Sequence, residues 1–328
     1  MSQGVARIVG GRYRLIRQLG QGGMGVVWHA RDGLLDRDVA VKEMYLLGTG
    51  ADPLEPRALR EARAAAQLRH PGIIIVHDVV VDDGRPWIVM ELIDGRSLGQ
   101  AIVDDGVLSE QRAALIGLRV LDALQAAHQR GILHRDVKPH NILLDGDRVV
   151  LTDFGIAAID GATALTATGQ MVGSPAYLAP ERINGRAATA AADLWGLGVT
   201  LYAAVAGRSP FHREDTQSTF AAVLTSHPAR PAEAGQLWPA IHGLLAKDPA
   251  ARLTADGVAP LLAAVAHPQT PPRPVGPGAT RPDPAVPVGG ATAKEPMAAA
   301  DRWLSTLAVA ALLIVAALAW VLLDRLNS

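Results

Sequence analysis

The 328-residue chain contains no cysteine. That excludes a disulfide framework, a cysteine-ligated metal cluster and a thiol nucleophile, and it fits a reducing compartment. An excess of charge is missing too: 31 Lys and Arg against 32 Asp and Glu give a formal net charge of -1. A general nucleic-acid binder would carry a basic excess, so nucleic acid is not expected as a partner. Met1 to Gly11 lack an apolar run, so no secretory signal is expected ahead of the first strand. No internal repeat is found, and 49% hydrophobic residues suffice for a sizeable core.

Large apolar side chains are nearly absent from one region. Pro268 to Pro296 holds nine of the 22 prolines, with Gly, Thr and Ala between them. Such a stretch cannot bury enough surface to fold, which predicts an extended, semi-rigid linker over 268–302. Before it, residues 13–267 alternate apolar strands with amphipathic helices and read as one globular domain. After it, the 20 residues from Leu304 to Leu323 carry no charge and include eleven Leu, Ile and Val. At about 1.5 Å per residue they span roughly 30 Å, the thickness of a bilayer core. The apolar character runs all round the helix, and Trp303 and Trp320 lie near its ends as interfacial anchors would. A single transmembrane helix over 304–323, with a short tail over 324–328, is the expectation.

The chemistry is concentrated in His134-Arg135-Asp136-Val137-Lys138-Pro139-His140-Asn141, followed by Asp153-Phe154-Gly155. Two carboxylates, a lysine and an asparagine at these spacings suit phosphoryl transfer from Mg-ATP to a hydroxyl. Asp136 is the candidate base that orients the acceptor, Lys138 adds a cation beside the moving group, and Asn141 and Asp153 offer hard oxygen ligands to magnesium.

Upstream, Gly20-Gln21-Gly22-Gly23-Met24-Gly25 sits between two short strand patterns, Tyr13–Leu19 and Val26–Ala30. Glycines there let a hairpin bring its N–H groups to phosphate oxygens. The helix that should follow a dinucleotide fingerprint is missing, which excludes that fold. Val39-Ala40-Val41-Lys42 reads as a buried strand ending in a lysine. Leu54, Ala58, Glu61, Ala65 and Leu68 share one helical face, so Glu61 interrupts an apolar stripe and needs a cation. Lys42 is the expected partner. Trp87 to Ile93 reads as a strand whose end can offer backbone groups to a base edge. Ser109 to Arg130 reads as a helix capped by Ser109 and terminated by Gly131. Asp193 heads an apolar helix as a buried acceptor, and Glu181 and Arg252 are expected to pair.

In this order the motifs resemble those of a eukaryotic-type (Hanks-type) serine/threonine protein kinase. The glycine loop, GSPAYLAPE and DLWGLG are most similar to the membrane-anchored kinases of actinobacteria. The resemblance covers about Tyr13 to Ala266. It implies an α+β bilobal fold, with a small β-rich lobe over about 13–92 carrying one key helix and a larger helical lobe over about 96–267. It also implies ATP and Mg2+ (or Mn2+) as cofactors. Leu19, Gly20, Gln21, Gly22, Gly23, Met24, Gly25, Val26 and Val27 would then cover ATP, with Val27 and Ala40 against the adenine. Lys42 would hold phosphates and pair with Glu61. Met90 would be the gatekeeper, Glu91 and Ile93 the hinge contacts, and Leu143 the floor of the adenine site. Lys138 and Ser174 favour serine/threonine over tyrosine acceptors, and Thr166 and Thr168 are candidate phosphosites within reach of Arg135. Gly72-Ile73-Ile74-Ile75 and His140 depart from the usual pattern.

The implied partners are ATP, protein substrates and a membrane, with the catalytic domain on the cytoplasmic side where ATP is supplied. Lys294 and Arg302 before the span, against Arg325 after it, agree with that topology. A homodimer would favour autophosphorylation, although Leu304–Leu323 has no GxxxG pattern. Only Asp324 to Ser328 follow the span, so sensing of external ligands is not implied. Two other readings stand beside this one. A pseudokinase scaffold would have lost Lys42, Asp136 or Asp153, and a small-molecule phosphotransferase would lack the HRDxK loop and the APE segment.

Overall fold

The computed structural model describes residues 7–22, 25–44, 64, 66–154 and 174–268. Two units divide the chain, Met1–Pro271 and Pro272–Ser328, and the second lies outside the described residues. All of the linker after Pro268 and the apolar span at 304–323 lie outside the described residues as well. Among the described residues, no helix is long and apolar enough to cross a membrane.

The first lobe is a six-stranded antiparallel sheet in the order β1-β2-β3-β4-β6-β5. Its strands are β1 (Ile8–Val9), β2 (Tyr13–Gly22), β3 (Gly25–Asp32), β4 (Arg37–Met44), β5 (Val76–Asp82) and β6 (Arg85–Glu91). The period of two along β4 sorts its side chains between the two faces. Val39 and Val41 join Tyr13, Leu15, Ala30, Trp87 and Val89 in the lobe's own core, while Ala40 faces a different apolar cluster. Burial on both faces matches the apolar run Val39-Ala40-Val41, which the buried charges of Lys42 and Glu43 then interrupt.

Two boundaries differ from expectation. β1 lies ahead of Tyr13, because Ile8 and Val9 pair with Arg14 and Tyr13 and bury Val9 completely. β4 continues past Lys42, because Glu43 and Met44 still pair with Val26 and Gly25 and are themselves buried. Lys42 is thus an interior strand residue.

The second lobe is helical. Its helices are α1 (Leu98–Asp105), α2 (Glu110–His128), α3 (Pro180–Ile183), α4 (Ala190–Ala206), α5 (Thr216–Thr225), α6 (Trp238–Leu244) and α7 (Ala255–Ala266). Ser109 caps α2 by accepting the N–H of Arg112 at 3.2 Å. The helix is assigned through His128, and the turn after it closes on Gly131 at φ 71°. Gly131 N–H donates to His128 C=O and Ile132 N–H to Ala127 C=O, the paired bonds of a Schellman ending. The core lies between α2, α4 and α7, and α4 is apolar on nearly every side. Trp195 within it is fully buried and stacks on Phe211 at 5.3 Å, a pairing typically worth about 0.5–1.5 kcal/mol beyond area burial.

A small sheet, β7 (Arg96–Ser97), β8 (Ile142–Asp145) and β9 (Arg148–Leu151), stands where the lobes meet. It carries the end of the catalytic loop on β8 and the DFG aspartate just after β9.

Candidate active site

His134 to Asn141 is held from below by the helix α4. Asp193, in the first turn of α4 and 2% exposed, accepts His134 N–H at 2.9 Å through Oδ2 and Arg135 N–H at 2.7 Å through Oδ1. An anion at a helix N-terminus is favoured there by the dipole. Arg135 takes a left-handed backbone at φ 68°, a conformation costing about 1–2 kcal/mol for an L-residue; the Asp193 bond offsets that cost. Gly196 lets α4 come this close, since a Cβ on it would sit 2.8 Å from the carbonyl oxygen of Val137.

His134 is fully buried. Its Nδ1 accepts Asp136 N–H at 3.2 Å and its Nε2 donates to Thr152 C=O at 2.7 Å, which defines the neutral tautomer. Burial lowers the imidazole pKa against the opposing pull of Asp193 and the Thr152 carbonyl. The ring meets Phe154 edge-on at 4.7 Å, tying the catalytic loop to the DFG segment.

Three polar side chains meet on the loop. Lys138 Nζ donates to Asp136 Oδ2 at 2.7 Å, and Asn141 Nδ2 donates to the same oxygen at 2.9 Å and to Asp136 C=O at 2.8 Å. Both neighbours thus grip one oxygen of Asp136. Among the described residues Oδ1 has no partner, so it can accept an acceptor hydroxyl. Because Asn141 spends its amide N–H groups on Asp136, its Oδ1 is the atom suited to a cation.

Lys42, 4% exposed, pairs with Asp153 at 2.7 Å. Burial alone would raise the Asp153 carboxyl, but Lys42 outweighs it by charge and hydrogen bond and holds the group below the ordinary carboxylate value. Asp153 too is left-handed, at φ 63°. Among the described residues no group of three or more His, Cys, Asp or Glu side chains converges as a metal site. One ionised carboxylate and one amide oxygen still fit Mg2+, which keeps waters and binds through phosphates. Glu61, the partner expected for Lys42, lies outside the described residues, as do Gly23, Met24, Thr166 and Thr168.

The expected adenine residues assemble into one apolar cluster. Ala40 and Met90 are buried in it with Ile74 and Val150, and Val27, Leu92, Ile93 and Leu143 pack against them. Ile74 and Val150 were not legible as site residues: each occupies a short apolar run with no period pointing to a ligand. Leu19 and Val26 do not join this cluster. In the glycine loop, a Cβ on Gly20 or Gly22 would meet no protein atom within 4 Å, leaving their backbone open to a ligand. Gly25 has a different reason. At φ 148° its Cβ would fall 1.8 Å from the Glu43 carbonyl oxygen, so the β3–β4 ladder itself excludes a side chain there.

Ser174, the first described residue after Phe154, precedes a 3-10 turn over Pro175–Tyr177. Glu181 and Arg252 form the expected pair, bidentate at 2.7 and 2.9 Å and almost fully buried. His128, which the sequence did not single out, adds a third bond to Asp193 at 2.7 Å.

The sequence model of the protein kinase domain matches residues 13–262. Serine/threonine-protein kinase PkaA of Streptomyces coelicolor is 38% identical over 278 residues, covering 80% of this chain and 51% of its own length. Serine/threonine-protein kinase PknA of Mycobacterium tuberculosis is 40% identical over 285 residues, covering 84% and 66%. PrkC of Bacillus subtilis is 38% identical over 65% of this chain and 33% of its own. The chain thus spans between a third and two thirds of the length of these curated relatives. The crystal structure of the Mycobacterium tuberculosis PknI kinase domain matches with a TM-score of 0.64 at 31% identity, covering 81% of this chain and all of that one.

Proposed function

The chain belongs to the protein kinase family, and on that premise we propose that it transfers the γ-phosphoryl of Mg-ATP to serine and threonine hydroxyls of proteins. One observation carries the reading: Lys138 and Asn141 both hold Oδ2 of Asp136, leaving Oδ1 to a substrate. Fixed in this way, Asp136 accepts the hydrogen bond of the attacking hydroxyl and takes its proton as the bond to phosphorus forms. Lys138 lies beside the transferring group and offsets its negative charge. Lys42 holds the donor's phosphates, and the apolar cluster of Ala40, Met90, Leu143 and Val150 excludes water around the base. Asn141 and Asp153 would hold Mg2+, which when bound neutralises charge on the phosphate oxygens. Similarity to named serine/threonine kinases, with Lys138 and Ser174, supports the acceptor class.

The stretch between Asp153 and Ala179-Pro180-Glu181 is a substrate of the same reaction in this reading, with Thr166 and Thr168 as phosphosites that Arg135 can bind. The uncharged stretch 304–323 tethers the domain to the cytoplasmic face of a cell membrane, as in the actinobacterial type, and the tether gives two copies the proximity that trans-phosphorylation needs.

Mass spectrometry tests this on protein made in a host lacking such kinases. Wild-type chain incubated with Mg-ATP should gain phosphoserine or phosphothreonine at least about 100-fold faster than Asp136→Asn. Equal rates of phosphate gain in the two, or phosphate appearing only on small molecules, defeats the proposal.

A further inference from the structure

An ion pair outside the catalytic loop joins three segments that are distant in sequence. Arg148, the first residue of β9, donates from Nη1 and Nη2 to the two carboxylate oxygens of Glu91 at 2.8 and 2.9 Å. Its Nε reaches the carbonyl of Pro71 at 3.2 Å. The same Glu91 carboxylate accepts Ile75 N–H at 2.9 Å, while Glu91 N–H returns to Ile75 C=O at 2.9 Å. Behind this knot, Ile74 N–H donates to Leu151 C=O and Leu151 N–H to Gly72 C=O. The run from Pro71 to Ile75, the end of β6 and the strand β9 are therefore fastened together by one guanidinium and one carboxylate.

Each fastened segment supplies a wall of the apolar cluster assigned to adenine. The run before β5 gives Ile74, the end of β6 gives Met90 with Leu92 and Ile93 beyond it, and β9 gives Val150, which pairs with Leu143 on β8. A flat ring gains from apolar walls only at van der Waals spacing, and a gap of under an ångström forfeits a quarter to half of that attraction. Among the described residues, Ile93 makes no backbone hydrogen bond that would fix the hinge from within. Its position depends on the residues beside it. A bidentate arginine–carboxylate pair is suited to that task, because it constrains orientation as well as distance.

We infer that Arg148 is a positioning residue for the nucleotide base: acting through Glu91, it sets the spacing of the adenine walls and the hinge backbone. This rests on the reading of the site as an ATP site. Arg148 is not part of the apolar cluster, so its removal should weaken recognition of the base and leave recognition of the phosphates intact.

The test compares Arg148→Leu and Arg148→Lys with wild type in the full chain, measuring affinity for adenosine, Mg-ATP and Mg-tripolyphosphate. For Arg148→Leu, affinity for adenosine and ATP should fall by a common factor of about ten, on the order of one charge-assisted bond pair. Tripolyphosphate affinity should stay within about twofold, as should kcat, while KM for ATP rises. Lysine keeps the charge without the planar fork, so Arg148→Lys should fall between; it decides the matter by the same ratio if the leucine variant does not fold. A merely structural role would reduce the active fraction, lowering kcat at unchanged KM. That result overturns the inference, as would equal losses for adenosine and tripolyphosphate or no change at all. Wild-type protein that binds tripolyphosphate but neither adenosine nor ATP would instead sink the ATP-site reading beneath it.

Discussion

The buried pair of Glu181 and Arg252 should respond asymmetrically to loss of either partner. Arg252 is shielded completely at its side chain, and Glu181 is 4% exposed. Besides both Glu181 oxygens, the guanidinium donates to the carbonyls of Ala246, Ala191 and Lys247 and lies 5.2 Å from the Trp195 ring. Glu181→Ala leaves that cation with carbonyl partners but no counter-charge. Breaking a buried pair costs about 3–5 kcal/mol. At about 2–4 °C per kcal/mol for a domain of this size, the melting temperature should fall by roughly 6–20 °C.

Arg252→Met should start from a similar cost, but the carboxyl left behind has an escape that a guanidinium lacks: it can take up a proton. A carboxyl that prefers its neutral form when folded binds more protons in the native state than in the unfolded one. The stability of Arg252→Met should therefore improve, relative to wild type, as pH falls from 8 to 5, by up to about 1.4 kcal/mol per pH unit. The cost of Glu181→Ala should stay level over the same range. Urea unfolding of both variants at several pH values measures this directly. A Glu181→Ala cost under about 1 kcal/mol, or parallel pH dependence of the two variants, would refute the reasoning.

Three further outcomes follow from the geometry. Asp136→Asn should lower kcat about 10²–10⁴-fold while leaving nucleotide affinity near wild type, as read by phosphate transfer and by titration with ATP. Gly25→Ala places a Cβ 1.8 Å from the Glu43 carbonyl oxygen, and should destabilise the chain by about 2–4 kcal/mol in chemical unfolding, a loss of the size that core overpacking and strain produce. Burial depresses the pKa of His134, and does the same for His77 and His140. The unfolded chain then binds more protons below about pH 6.5, so stability should decline as pH falls through that value. His134→Phe should flatten that decline by up to about 1.4 kcal/mol per pH unit, as measured by denaturation across pH 5 to 7.

Local features were legible where a side chain's partner lies within a turn or two along the chain. Ser109 was readable as a cap and Gly131 as a terminator because both act on the helix they adjoin. Asp136, Lys138 and Asn141 were readable together because two and five residues of loop are enough to bring them into contact. The pair Glu181–Arg252 was readable from its motif, and Asp193 was readable as a buried acceptor because it heads an apolar helix, but the backbone groups it accepts from were not. Strand limits were less legible. The ends of β4 and the position of β1 depend on what lies across the ladder, and periodicity within one strand does not report its neighbour.

The order and spacing of the motifs by themselves determined the chemical class of this site: a carboxylate, a lysine and an asparagine on one loop, with a second acid just after the next hairpin. Only the tertiary structure decided how these groups are held. It placed Asp153 against Lys42, set Asp193 under a left-handed Arg135, and brought Ile74 and Val150 into one apolar cluster with Ala40 and Met90. Arg148 shows the difference most clearly. In the sequence it is a charge beside a Gly-Asp turn, indistinguishable from a solvated one. Its bidentate bond to Glu91 exists because a hairpin of one lobe packs against the hinge of the other, and such contacts depend on register and lobe packing that no local pattern encodes.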